Sequence, residues 1–311
     1  MGLTHFDQAR TVEYDRGHLR SRWTLLGESA GSRTVGVRRM QVPAGSWSTP
    51  AHEHGRSEEI FFILSGRGLS WQAGRTAPIR AGDGILYAPR RGAHSVFAQD
   101  DLDLLAFGTR EYDESLRLPR LEMSLVGTRG VESVPGVLDG VPVQFAREAE
   151  HGPPELPAQP GERPATIVNL EDVKPVTVSR PRVERTRRNL GRRLQSERSG
   201  LQHVVVAAAK ESAPLHSHSI EEEIFIVLDG NGVLVLDEDE TPVGRGHVIA
   251  RPAATGISHT FRAGQEGLTY LAYGTRDPGD ICYYPRSNKI AFRGVNLMAR
   301  LERLDYWDGE D

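Results

Sequence analysis

A single cysteine, Cys282, is present in 311 residues. One thiol excludes an intramolecular disulfide, a zinc site built on several thiolates and an iron–sulfur cluster. Lysine is almost as scarce, with Lys174, Lys210 and Lys289 the only three. The net charge of -4 speaks against a generic nucleic-acid binder, which needs a basic surface. Long apolar runs are also missing. The longest, such as Ile224–Leu228 and Val204–Ala209, have strand length and cannot span a bilayer. The polar N-terminus MGLTHFDQARTVEYDRGHLRSR has no apolar core, so no signal peptide is expected. These absences predict a cytoplasmic protein with no membrane and no nucleic-acid partner.

Glycine (33) and proline (19) are plentiful, and they bound short β-branched or aromatic segments such as EIFFILSG, GILYAP, EIFIVLDG and LTYLAYG. That pattern predicts many short antiparallel strands in a sandwich or barrel, with little room for long helices. An internal repeat organises them. At an offset of 164, His52, His54, Glu59 and Gly66 fall on His216, His218, Glu223 and Gly230 without a gap, and Gly27 falls on Gly191. The offset then drifts as loops permit: Pro89 pairs with Pro252, His94 with His259, and Gly108-Thr109-Arg110 with Gly274-Thr275-Arg276. The expected organisation is one barrel over 1–150, a Pro-rich linker over 151–164 and a second barrel over 165–311.

The repeat also carries chemistry. His52 and His54, two apart on a strand, leave the same face, and Glu59 opens the next strand within reach of the same point. A Gly-Asp turn, a strand and a Pro-Gly turn later, His94 arrives; the second copy repeats the plan with His216, His218, Glu223 and His259. Each set of three imidazoles and a carboxylate suits one divalent metal (Fe, Mn, Ni, Cu or Zn) and leaves positions open for substrate. Strand alternation points Phe61, Ile63, Val96, Phe225, Val227 and Phe261 inward beside the ligands, which predicts apolar, partly aromatic pockets for a small molecule. The seven arginines of Arg180–Arg193 read as a solvated strand-and-turn surface, with anion binding or a subunit contact as the alternatives.

The segments PAHEHGRSEEIFFILSG and AGDGILYAPRRGAHSVF, and their second copies, resemble the two cupin motifs, and the resemblance covers nearly the whole chain twice. It implies an all-β protein of two tandem jelly-roll barrels forming an internal pseudo-dimer, with a metal deep in each mouth; further homodimerisation is left open. Oxalate decarboxylases are similar bicupins, but tryptophan and lysine are expected around their His-x-His, where Glu53 and Ser217 stand. Gentisate-type dioxygenases lack the glutamate. Quercetin-dioxygenase-like bicupins keep three histidines and one glutamate, which implies a dioxygenase for an apolar or aromatic compound with Glu59 and Glu223 as bases. The alternatives are a small-molecule-binding or sensor cupin and a metal-dependent isomerase or decarboxylase.

Overall fold

In the computed structural model, described for residues 2–127, 137–138 and 141–310, strands dominate and the longest helix is Val143–His151, nine residues. The first copy forms a seven-stranded sheet in the order Ile167–Asn169, Asp83–Tyr87, Glu59–Ser65, Leu102–Thr109, Val35–Val42, Leu19–Thr24, Thr11–Arg16. A three-stranded sheet of His94–Ala98, Arg67–Gln72 and Arg75–Arg80 faces it. The second copy repeats the large sheet as Gly2–His5, His247–Arg251, Glu223–Leu236, His259–Thr275, Ser199–Val206, Glu184–Asn189, Val176–Ser179. All these ladders are antiparallel, although several of the pairs join strands far apart in the chain.

The edge strands are exchanged. Gly2–His5 pairs with His247–Arg251 of the second copy, and Ile167–Asn169 pairs with Asp83–Tyr87 of the first. Each half therefore completes the other's sheet, the internal pseudo-dimer expected from the repeat.

Strand alternation divides most of the apolar side chains between an interface core and two barrel cores, with a smaller cluster around Trp47 and Trp71. Ile60, Phe62, Leu105 and Phe107 pack with Ile224, Ile226, Leu271 and Tyr273 between the two large sheets, where Phe107 stacks on Tyr273 at 5.0 Å. Their neighbours Phe61, Ile63 and Ile85 fill the first barrel, and Phe225, Val227 and Phe261 fill the second. A reciprocal polar lock crosses the same interface. The buried Glu58 carboxylate accepts from Ser196 Oγ (2.6 Å), Ser199 N (3.0 Å) and Ser199 Oγ (2.7 Å). Glu222, its repeat mate, accepts from the backbone N–H groups of Arg33, Thr34 and Val35 and from Thr34 Oγ1 (2.6 Å). Both lie one residue before the glutamates of the candidate sites, so the lock fixes the start of each site strand.

The repeated glycines have a steric reason. Gly66 and Gly230 sit at φ +87° and +75°, and a Cβ there would meet the Asp101 or Gly267 carbonyl oxygen at 2.2 or 2.3 Å.

Candidate metal centres and their cavities

In the first copy, Glu59 opens its strand and His54 ends the two-residue strand Glu53–His54. His52 and His94 face each other across an isolated antiparallel bridge, with His94 N donating to His52 O at 2.8 Å. Around Glu59 Oε2 stand His94 Nε2 at 2.9 Å, His54 Nε2 at 3.4 Å and His52 Nε2 at 3.7 Å. The second copy reproduces this: Glu223 Oε2 lies 3.0 Å from His259 Nε2 and 3.4 Å from His218 Nε2, and His216 bridges His259. Ring centroids of the two bridged histidines are 4.6 Å apart in both copies. The structure thus brings together, in each copy, all four residues expected from the sequence. The loop from Pro252 to His259 is two residues longer than that from Pro89 to His94, yet the last histidine meets its glutamate at the same distance.

Three of the outward nitrogens, on His52, His216 and His218, are held by hydrogen bonds. His52 Nδ1–H donates to Pro50 O at 2.9 Å and His216 Nδ1–H to Pro214 O at 2.8 Å, which leaves each Nε2 lone pair facing the glutamate. His218 Nδ1 is 2.7 Å from Asp280 Oδ2, and His54 Nδ1 is 3.6 Å from Glu114 Oε2. Glu114 and Asp280 are the functional residues that reading along the chain misses. They lie about sixty residues beyond their histidines and in no local motif. The repeat could have found them, because Glu114 and Asp280 share the 166 offset of Gly108 and Gly274. A carboxylate behind a ligating imidazole fixes its tautomer and raises its basicity.

Burial lowers His94 to about 4 and His216 to about 3, and lowers His259 as well. Burial also opposes charge on His54 and His218, but neighbouring carboxylates outweigh it. Glu59 and Glu114 raise His54 to about 9, and Asp280 with Glu223 raises His218 to about 10. Burial alone would raise Glu59 and Glu223; the imidazoles around them hold both well below the usual carboxylate range.

The donor set fits a divalent cation. His52, His54 and Glu59, and likewise His216, Glu223 and His259, present donor atoms within 4.8 Å of one another. His54 Nε2, His259 Nε2 and Glu223 Oε2 are buried without a well-formed hydrogen bond, the condition a shared cation relieves. Nitrogen and oxygen donors of this kind suit a first-row transition metal.

The cavities over the two clusters differ. The first, about 620 Å³, has walls that include Trp23, Phe61, Leu116 and Phe145. The second, about 300 Å³, is lined by Arg185, Arg187, Phe225, Phe261, Tyr270, Cys282 and Tyr284. Of the expected pocket residues, Phe61, Phe225 and Phe261 line cavities. Ile63, Val96 and Val227 do not; fully buried, they lie in the barrel cores below the cavity floors. The expectation of apolar walls fails for the second copy. Arg185 and Arg187 are paired with Val206 and Val204, so alternation turns both guanidinium groups toward the barrel mouth and away from the solvated surface assumed for Arg180–Arg193. Neither forms a hydrogen bond or ion pair with a described residue, and burial lowers the pKa of Arg187.

Two metal-ligand clusters in paired jelly-roll barrels define the chain as a two-barrel, metal-binding β protein. The chain belongs to the cupin family: the cupin domain matches at residues 38–107 and 202–272. The oxalate-binding protein of Thermotoga maritima is 32% identical over 93 residues, which cover 29% of this chain and 75% of that protein. Oxalate decarboxylase of Bacillus subtilis shares the two-barrel fold. A point variant superposes with a TM-score of 0.58 at 13% identity, covering 90% of this chain and 78% of that one. A structure of the same enzyme studied for its Mn(II) centres gives 0.56 at 14% identity, with the same coverage.

Proposed function

We propose that the protein is a metal-dependent bicupin enzyme whose C-terminal barrel takes a small carboxylate anion and cleaves carbon dioxide from it. One observation carries this reading: Arg185 and Arg187, without carboxylate partners, line a cavity of about 300 Å³ together with His216, His218, Glu223 and His259. A half-buried guanidinium without an anion calls for one, and Arg recognises carboxylates in a planar, bidentate manner. The relatives point the same way, since one binds oxalate and others decarboxylate it. A divalent ion in the cluster would supply Lewis acidity toward the bound carboxylate.

The chain's own groups divide the remaining work. Arg185 and Arg187 bind and orient the anion. Glu223, kept ionised by its imidazoles, would complete the ligand set of a bound cation. Tyr270, raised to about 12 by burial, and Tyr284, also raised by burial, stay protonated and offer hydroxyl donors within the cavity. The dioxygenase implied by the resemblance to quercetin-dioxygenase-like bicupins draws less support from this cavity, whose aromatic walls also carry the guanidinium groups of Arg185 and Arg187.

The test is to load the full chain with Mn(II), add oxalate and measure formate and carbon dioxide in equal amounts. Saturable oxalate binding without either product would favour the binding or sensor alternative. Absence of binding in the loaded protein would end the small-carboxylate reading.

A further inference from the structure

We infer that residues 304–310 form a cap for the C-terminal site, with Trp307 packing on Arg187 and Glu310 pairing with Arg286. The repeat carries the inference, which needs no particular ligand in the cavity.

In the first copy the helix Val143–His151 covers the cavity. Its Phe145 lies flat on Tyr14, at 4.2 Å between centroids and 13° between planes, and meets Trp23 edge-on at 5.9 Å. Arg120 holds the helix by donating from Nε to Glu148 at 2.7 Å. Each receiving position recurs. At the offset of 164, Tyr14 and Trp23 fall on Val178 and Arg187. The strand pairing recurs with them: Tyr14 faces Ser21 as Val178 faces Arg185, and Trp23 faces Met40 as Arg187 faces Val204. Arg120 falls on Arg286 at an offset of 166.

In place of the helix the second copy has the end of the chain, LDYWDGE. At an offset of 162, Phe145 and Glu148 fall on Trp307 and Glu310, so an aromatic ring three residues before a glutamate follows the Pro-Arg turn in both copies. None of residues 304–310 lines the cavity in the structure, and all are exposed, Tyr306 at 85% and Trp307 at 68%. Covering two adjacent large rings removes apolar surface from water.

The segment also matches the mouth in charge. Arg185 and Arg187 have no carboxylate partner. Arg286 gives Nη1 to Glu211, while no described residue accepts from its Nε, the atom that in Arg120 holds Glu148. Residues 304–310 supply Asp305, Asp308 and Glu310 and no base. An indole is the best ring face for a guanidinium, and stacking leaves the N–H edge of Arg187 for an anion. The segment starts close by: Arg303 sits over the Tyr283 ring at 5.6 Å and donates to its hydroxyl at 3.2 Å, between Cys282 and Tyr284 of the cavity wall. The four residues from Arg303 to Trp307 span at most about 14 Å.

Trp307 is the one tryptophan of the second copy, so its emission is the difference between the parent and Trp307→Phe. Acrylamide should quench that emission about twofold more strongly in Arg187→Gln and in Glu310→Gln than in the parent, and high salt should raise the quenching of the parent. Arg193→Gln, at an exposed arginine of the same stretch, should change nothing. In a His54→Ala background loaded with a divalent ion, Trp307→Ala should speed extraction of the ion by a chelator about threefold. The inference is overturned if Trp307 is quenched equally in the parent and both variants, or if Trp307→Ala leaves the extraction rate unchanged. Protection of Trp307 that rises with protein concentration would also overturn it, by placing the segment on a second copy.

Discussion

Replacing Asp280 by asparagine isolates the contribution of the carboxylate behind a ligating histidine. Asp280 is fully buried; its Oδ1 accepts from Ile220 N at 3.0 Å and Glu221 N at 3.2 Å, while Oδ2 faces His218 Nδ1 at 2.7 Å. If the loop bonds persist in Asp280→Asn, the amide nitrogen must occupy the Oδ2 place. It then donates to Nδ1, which forces the imidazole proton onto Nε2, the nitrogen that faces Glu223. Loading the site then requires the unfavourable tautomer, and loss of such a partner costs about 10–100-fold in metal affinity, or about 1.4–2.8 kcal/mol. Glu114 stands farther from His54, at 3.6 Å, so Glu114→Gln should cost the first site less. Competition against a chromophoric chelator reads each affinity, in a His54→Ala background for the second site and a His218→Ala background for the first. An Asp280→Asn affinity within twofold of its parent, or an equal loss in both sites, would refute the reasoning.

Proton release and the interdomain lock give two further tests. Near neutral pH, His54 at about 9 and His218 at about 10 carry protons that a cation must displace. Metal loading should therefore release close to one proton per ion, measured in weakly buffered solution, and the release should vanish as pH rises past about 10. The sign for the metal-free protein follows: both pKa values are raised above the unfolded value of about 6.5, so their stabilisation is complete below it and is lost as pH rises through 9 to 10. Glu222→Gln places an amide N–H₂ against the backbone donors of Arg33, Thr34 and Val35. It should cost about 3 kcal/mol in urea unfolding, since it leaves buried donors facing a donor, and a loss below about 0.5 kcal/mol would show that the lock contributes little.

The metal ligands were legible in the sequence because the repeat doubles them: a lone His-x-His says little, but His52, His54 and Glu59 recurring as His216, His218 and Glu223 does not arise from strand composition alone. Fold class was legible for a related reason, since period-two alternation along Ile60–Ile63 separates the interface core from the barrel core. The differences between the cavities were harder to read. Arg185 and Arg187 look like surface charge until their pairing with Val206 and Val204 is known, because alternation gives the face but not which face is wet. Ile63, Val96 and Val227 point inward as counted, yet period two carries no depth, and they lie below the cavities. Glu114 and Asp280 reach their histidines through strand pairing across some sixty residues, a contact that local spacing cannot encode.

The central claim is that each repeat holds one ion on its three histidines and glutamate. Elemental analysis of the reconstituted, desalted chain tests it most directly, with His54→Ala, His218→Ala and the double variant measured alongside. Two ions per chain are expected for the parent, one for each single variant and none for the double. Fewer than one ion in the parent, or single variants that retain both, would contradict it.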